Sequence, residues 1–128
     1  MDDYVTAVCA DIAASASRAG STPQQLHTVF FGGGTPSLLP APQLGRILDA
    51  LRRAFGVAPG AEVSMELDPG TGALLLNEQS CADLSCAGSF DEASLAAYLA
   101  LGVTRVNLGV QSFDAAMLKG VPAESALS

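Results

Sequence analysis

Three consecutive glycines, Gly32 to Gly34, directly follow the apolar run LHTVFF and are followed by Thr35 and Pro36. A fold that fixes three glycines usually needs positive φ angles, or backbone without side chains that a ligand can approach closely. Pro36 restricts Thr35 to an extended conformation. The stretch therefore predicts a strand end at which a ligand can lie against bare backbone. A tight turn without a ligand is the alternative.

A carboxylate and an amide lie near the ends of two further predicted strands. AEVSMEL alternates apolar and polar residues and places Glu66 on its polar face, and VTRVNLGVQSF does the same with Gln111. A carboxylate accepts hydrogen bonds from hydroxyl or ammonium groups, and an amide offers both donors and an acceptor. A solvated carboxylate at Glu66 and a capping amide at Gln111 are the alternatives.

The remaining titratable residues do not combine into a catalytic or metal-binding set. His27 and Arg105 stand at the starts of predicted strands, away from the reactive strand ends, so structural roles are expected for both. The cysteines are Cys9, Cys81 and Cys86. Their odd number, without a secretory signal, predicts a reducing compartment and no disulfide framework. Incidental thiols are favoured over metal or haem ligands, and the sequence predicts no catalytic residue and no metal ligand.

Segments with helical periodicity alternate with segments typical of strands. The helices are predicted around Val5 to Ala16, Leu44 to Phe55, Asp91 to Leu101 and from Asp114 onward, and the strands over LHTVFF, AEVSMEL and VTRVNLGVQSF. This order is typical of an α/β fold in which right-handed helical crossovers join parallel strands.

Polar residues on one face of the predicted strands narrow the choice of α/β fold. An open doubly wound sheet is covered on both faces and has strands that are almost entirely apolar. A polar face indicates instead the lumen of a (β/α) barrel with a polar ligand at the carboxyl ends of its strands. Because only three strands are predicted and a helix comes first, we expect an incomplete, partial TIM-like barrel. Its open edges would favour association.

Charge and length exclude several classes of partner. The 128 residues carry 6 Lys and Arg against 13 Asp and Glu, a net charge of -7, which opposes nucleic acid and anionic membrane surfaces. The apolar runs are far shorter than the ~20 residues that span a bilayer. The acidic N-terminus does not resemble a targeting peptide, so we expect a cytoplasmic protein. A mitochondrion or plastid is the alternative if a preceding segment carries a transit peptide.

FFGGGTPSLL, MELDPGT and ALGVTRVNLGVQSFD resemble, in order and spacing, the radical S-adenosylmethionine (SAM) proteins of the oxygen-independent coproporphyrinogen III oxidase family. The resemblance covers residues 1–71 and 90–118 and is closest to the haem-chaperone, HemW-like branch. It implies a partial TIM barrel in which a [4Fe-4S] cluster on C-x3-C-x2-C and bound SAM yield a 5'-deoxyadenosyl radical. The implied tetrapyrrole partner is coproporphyrinogen III, or haem in the chaperones.

The resemblance also implies roles for individual residues. Gly33, Gly34 and Thr35 match the block that wraps the methionine end of SAM. Glu66 matches an acid that would contact the SAM ribose or ammonium, and Gln111 matches an amide that would contact the ribose or a carboxylate. SAM is therefore the expected cofactor, with haem as a further candidate ligand.

The sequence departs from the family pattern at several points. The C-x3-C-x2-C motif is absent, so the cluster is not expected to form and the chain is not expected to be catalytic alone. We interpret residues 1–128 as a partial radical SAM core with an irregular insertion over 72–89 and without the C-terminal domain of the family. Three hypotheses follow: a piece of an oxidoreductase that retains part of the SAM pocket, a haem-binding or haem-transfer module, and an inactive truncated isoform.

Overall fold

The computed structural model of the protein describes residues 1–18, 25–68, 92–110, 112 and 114. Helices and parallel strands alternate along this part of the chain. The helices are α1 (Asp2–Arg18), α2 (Ala41–Ala54) and α3 (Glu92–Leu101), the strands are β1 (Leu26–Phe31), β2 (Val57–Leu67) and β3 (Arg105–Leu108), and a 3-10 helix (Pro36–Leu38) precedes α2. The sheet has the order β1-β2-β3 with both neighbouring pairs parallel. The predicted α/β class is confirmed, and closure into a barrel stays a prediction.

Helix α2 follows the predicted apolar periodicity. Its buried side chains, Leu44, Ile47, Leu48 and Ala50, recur at helical spacing on one face. The helix ends where Gly56 adopts a left-handed conformation with φ +75°, and the Gly56 amide donates to the Arg52 carbonyl at 3.0 Å. A left-handed glycine after the last turn is a common way to satisfy terminal helix carbonyls.

The boundaries of β2 and β3 differ from the predicted ones. β2 begins four residues earlier than AEVSMEL, at Val57, which pairs with Leu26 before the register shifts at Thr28 and Glu62. The extra residues of β2 form a bulge around Gly60, whose φ is +77°. β3 is shorter than VTRVNLGVQSF because its partner strand ends: its last pair is Leu67 with Leu108.

One face of the sheet is covered by α2 and α3 and carries the core. Apolar residues from the strands and both helices form it: Val29, Leu44, Leu48, Val63, Met65, Leu67, Tyr98 and Val103. Val63, Met65 and Leu67 alternate along β2 as predicted, and all three are buried. Leu108, predicted on the apolar face of β3, is instead 46% exposed at the end of the strand.

The opposite face is polar and, within the described residues, largely open. Phe30 pairs with Ser64 and Ser64 with Arg105, so these three side chains lie in one row across the sheet. Glu66 and Asn107 form the next pair toward the carboxyl ends. Phe30 and Arg105 are exposed, whereas Ser64 is buried beneath its neighbours. This is the face that the sequence predicts to line a polar lumen.

Helix α1 packs against α2. Val5 is fully buried, and the Asp2 carboxylate accepts from Arg46 Nη1 and from Gln43 Nε2, each at 3.1 Å. Both charged side chains remain partly exposed, so the pair contributes little energy but fixes the direction of α1 along α2.

Several predicted segments lie outside the described residues, namely the 72–89 insertion, the helix from Asp114 onward and the end of the third predicted strand. Among the helices that the structure describes, none has the length and apolar character needed to cross a membrane.

Tyr98 connects α3 to the segment that follows the glycines. Its side chain is 2% exposed, and its hydroxyl lies 3.0 Å from the Leu39 carbonyl and 3.3 Å from the Ser37 carbonyl. Both carbonyls belong to the turn between the glycines and α2. A hydrogen bond from α3 thus helps to hold the backbone that carries the glycines.

We predict that Tyr98→Phe lowers the free energy of unfolding by about 0.5–1.5 kcal/mol, because the two carbonyls lose their donor while the ring stays packed. Urea denaturation followed by circular dichroism measures the change. Leu99→Ala, at a neighbouring position that is 58% exposed, is the control and should change stability by no more than about 0.5 kcal/mol. Equal stability of Tyr98→Phe and wild type would contradict this role.

Candidate functional site

The glycine segment leaves the sheet at the carboxyl end of β1. Gly33 has φ +83° and Gly34 has φ +58°, both in the left-handed region that side chains disfavour. A Cβ atom added at either position would meet no heavy atom within 4 Å. Backbone conformation, rather than crowding, therefore requires glycine here, and the space beside both residues is open.

Glu66 faces this segment from the neighbouring strand. The Gly33 amide donates a hydrogen bond to Glu66 Oε2 at 3.1 Å. Glu66 is half-buried, and its Oε1 atom makes no hydrogen bond to the residues that the structure describes. The predicted neighbours Gly33 and Glu66 thus lie together at the carboxyl ends of β1 and β2, with one carboxylate oxygen still able to accept.

The amides of the two left-handed glycines differ in their availability. The Gly33 amide already has the Glu66 carboxylate as its acceptor. The Gly34 amide has no acceptor among the described residues. Of the two amides, the Gly34 amide is therefore the one that remains available to donate to a ligand.

Thr35 and Pro36 turn the chain from the glycines into the 3-10 helix. Thr35 has φ -132° and ψ 84°, which is an extended φ as the following proline predicts. Its carbonyl accepts from the Leu38 amide at 3.0 Å, and Pro36 is buried. Thr35 itself is half-buried next to the open glycines.

An apolar cavity of about 280 Å³ adjoins the glycines on the helix-covered side of the sheet. Its lining comes from α1, the end of β1, the glycine segment and α2, and includes Tyr4, Val8, Phe31, Gly33, Thr35, Leu38 and Ile47. No charged side chain lines it, and Glu66 lies on the other face of the sheet. The cavity can hold an apolar group, whereas only the open face offers a charge beside Gly33.

A charged cluster lies on the open face below Glu66. The Ser64 hydroxyl donates to Glu62, and this hydrogen bond, together with the Arg105 guanidinium 3.4 Å away, lowers the pKa of the Glu62 carboxyl. Arg105 is thereby paired at the start of β3, in agreement with its predicted structural role. His27 is exposed at the start of the first strand.

Asn107 is a polar residue next to Glu66 that the sequence analysis did not single out as a candidate. It is half-buried and pairs with Glu66 across β2 and β3. Its amide offers donors and an acceptor next to the carboxylate. The alternation of apolar and polar residues places Asn107 on the same face of the strand as Gln111. That Asn107 lies opposite Glu66 on β2 follows only from the register of the two strands. Gln111 lies outside the described residues.

The described residues do not fit an iron–sulfur cluster. Within residues 1–18, 25–68 and 92–110, no group of three or more His, Cys, Asp or Glu side chains could hold a metal ion. Cys9, on α1, has its thiol 3.8 Å from the Arg46 carbonyl. Cys81 and Cys86 lie outside the described part of the chain.

Comparison with known proteins identifies similar sequences. The chain is 44% identical over 112 residues to the heme chaperone HemW of Synechocystis sp., and this match covers 88% of the chain and 22% of the relative. It is 33% identical over 118 residues to HemW of Escherichia coli, covering 92% of the chain and 26% of that protein. It is 37% identical over 90 residues to the oxygen-independent coproporphyrinogen III oxidase of Paracoccus denitrificans, covering 70% of the chain and 16% of that protein.

The chain therefore spans about a quarter or less of the length of these relatives. No family model matches the sequence, and no solved structure does.

The lowered pKa of Glu62 gives a pH prediction. Ionised Glu62 stabilises the fold above its unfolded-state pKa, and this contribution is lost as the pH falls through the folded-state pKa. Ser64→Ala removes the hydrogen bond from the Ser64 hydroxyl, which is the largest cause of the lowered pKa. The substitution should therefore raise the Glu62 pKa toward its ordinary value, as measured by NMR titration of the side-chain carboxyl carbon. Ser37→Ala, whose hydroxyl accepts from the Asp68 amide instead, is the control. An unchanged Glu62 titration in Ser64→Ala would refute the assignment.

Proposed function

Since this chain belongs to the radical SAM family of the heme chaperone HemW and the oxygen-independent coproporphyrinogen III oxidases, we propose that its strand ends form part of a SAM-binding site. Gly33, Gly34, Thr35 and Glu66 are its described residues, and Gln111 is assigned to it from the family pattern. The contact that carries the proposal is the 3.1 Å hydrogen bond from the Gly33 amide to Glu66, which sets a carboxylate beside bare backbone.

Glu66 supplies the negative charge that this ligand needs. SAM carries a sulfonium and an ammonium group, and its ribose carries two hydroxyl donors. Glu66 Oε1, which has no partner among the described residues, accepts a hydrogen bond from the ammonium or from the ribose. The bond to Gly33 fixes the direction of the other carboxylate oxygen, so the accepting atom is held in place before the ligand arrives.

The glycines and Thr35 supply a surface that follows the methionine end of the ligand. Open space beside Gly33 and Gly34 lets the ligand contact the main chain directly. The Gly34 amide donates to the ligand carboxylate, and the Thr35 hydroxyl provides a further polar contact. Thr35 also borders the apolar cavity of about 280 Å³ on the other face of the sheet.

The open polar face fits a barrel lumen. We propose that β1, β2 and β3 are three neighbouring strands of a partial (β/α) barrel whose interior is the row that contains Ser64, Glu66 and Asn107. Ligands of such barrels bind at the carboxyl ends of the strands, which is where Glu66 and the glycines lie. The open edges of β1 and β3 would then be covered by further strands or by a partner.

The proposal is one of binding and not of catalysis. When a reduced [4Fe-4S] cluster is also present, SAM supplies a 5'-deoxyadenosyl radical in proteins that this chain resembles. The residues that the structure describes do not fit the cluster. The residues proposed here bind and orient the sulfonium nucleotide.

Haem binding is a second candidate, and the similarity to HemW from several organisms favours it. By the same similarity we assign the chain to the haem-chaperone branch rather than to the oxidase branch. The tetrapyrrole partner of the corresponding whole protein is then haem, and the odd cysteine count favours a reducing, cytoplasmic location. An inactive protein is the third hypothesis, and it predicts that neither SAM nor haem binds.

Isothermal titration of the 128-residue chain with SAM tests the proposal. We predict saturable binding at a 1:1 ratio that Glu66→Gln weakens about tenfold or more, because Gln keeps an acceptor for the Gly33 amide but lacks the charge. Gly34→Ala should cause a comparable loss, because its Cβ occupies the space proposed for the ligand.

Gly60→Ala is the matched control for Gly34→Ala. Gly60 also has a left-handed φ and open space, but it lies in the β2 bulge away from the strand end. Both substitutions should cost about 1 kcal/mol of stability, and only Gly34→Ala should weaken SAM binding. Absence of SAM binding to the folded wild-type chain would refute the proposal. If haem then gave a saturable shift of the Soret band, the second candidate would replace it.

A further inference from the structure

Phe30 is an aromatic residue on the otherwise polar open face of the sheet. Its side chain is 58% exposed, and its neighbour across the β1–β2 pair is Ser64. An isolated exposed apolar side chain needs no explanation by itself. This ring, however, lies over a neighbouring residue that has no side chain, Gly32.

Gly32 leaves the space that the Phe30 ring occupies. A Cβ atom added at Gly32 would lie 2.3 Å from Phe30 Cε1 and 2.9 Å from Cδ1, which is too close for two carbon atoms. Gly32 is also the one glycine of the three without a left-handed φ. A side chain at position 32 would therefore have to displace the exposed Phe30 ring, whereas the backbone conformation does not exclude one. The ring leans along the strand, toward the carboxyl end of β1.

This direction brings the ring to the proposed SAM site. Phe30 pairs with Ser64 and Phe31 with Met65, so continuing the register sets Gly32 alongside Glu66. The next residue, Gly33, donates its amide to the Glu66 carboxylate. The ring over Gly32 and the Glu66 side chain therefore lie on the same face of the sheet, at neighbouring register positions.

We propose that Phe30 is the aromatic wall of a cation site that Glu66 completes, and that Gly32 is the residue that positions its ring. The electron-rich face of an aromatic ring attracts a cation, and the adjacent carboxylate adds a full negative charge. The ligand class selected by this pair is an organic cation, a sulfonium or an ammonium group. The inference rests on the proposed function and assigns the discrimination between the charged sulfonium and its neutral thioether to Phe30.

A simple packing role for Phe30 makes a different prediction. A ring that only fills space in a barrel lumen would be replaceable by leucine without regard to ligand charge. A ring that attracts the cation would be replaceable by tyrosine but not by leucine, and the loss would be confined to the charged ligand. The charge dependence of binding therefore separates the two roles.

The experiment compares SAM with S-adenosylhomocysteine, its neutral thioether, by isothermal titration of the 128-residue chain. For Phe30→Leu we expect affinity for SAM to fall about two- to fivefold, while affinity for the thioether stays the same. Leucine keeps an apolar surface for the sulfonium methyl, so the change reports the loss of the ring. Phe30→Tyr keeps an aromatic ring and should leave the ratio of the SAM and thioether affinities as it is in the wild type.

Gly32→Ala tests the positioning role. Its Cβ displaces the ring, so it should reduce the ratio of SAM to thioether affinity as Phe30→Leu does. In the double variant Phe30→Leu, Gly32→Ala, the second substitution should cause no further loss, because the ring is already absent. Circular dichroism and urea denaturation of each variant establish that it is folded.

The outcomes separate this inference from the function on which it rests. A wild-type chain that binds SAM, together with an unchanged ratio of affinities in Phe30→Leu, would overturn the role of Phe30 and leave the SAM site standing. Equal losses for SAM and the thioether in Phe30→Leu would also overturn it, in favour of packing. A folded wild-type chain that binds neither ligand would overturn the proposed function, and this inference with it.

Discussion

The hydrogen bond between the Gly33 amide and the Glu66 carboxylate joins two parallel strands just past their last main-chain pair, Phe31 with Met65. Beyond that pair the sheet no longer constrains the first strand, and the chain turns through two left-handed glycines. The side-chain acceptor on β2 therefore fixes where the turn lies. This contact also orients the Glu66 carboxylate toward the open space beside Gly33 and Gly34.

One face of the sheet carries the hydrophobic core, and the other carries the proposed binding residues. α2 and α3 bury the apolar alternation of β2 on one face, where Leu44, Met65 and Tyr98 are among the core residues. The same alternation places the polar residues of β2 on the other face, which the described helices leave open. A one-residue change in register would exchange these faces, so burial of the core also determines that Glu66 points toward the glycines.

Helix α2 and the class of fold could be predicted from the sequence because their signals are local. Apolar spacing and a terminal glycine define α2, and the order of elements predicts parallel strands. The start of β2 could not be predicted, because the bulge around Gly60 depends on pairing with β1. The short β3 likewise follows from the end of β2 at Leu67, a constraint from a distant part of the chain.

Part of the candidate site could also be predicted, because some of its signals are local to the sequence. The glycine segment and Glu66 stand out by residue type, and their carboxyl-end positions follow from parallel strands. The sequence could not predict that Asn107 pairs with Glu66, because that pairing depends on the register of β2 and β3. It also could not predict that the Phe30 ring occupies the space beside Gly32, because that contact depends on the direction of the ring.

The most direct test of the central contact is a two-dimensional amide NMR spectrum of the isotope-labelled chain, recorded during titration with SAM. We expect the largest shift changes at the amides of Gly33, Gly34 and Thr35 and of the residues around Glu66, with small changes along α1. Shift changes confined to α1 and the outer face of α2, with none at Gly33 or Glu66, would contradict it.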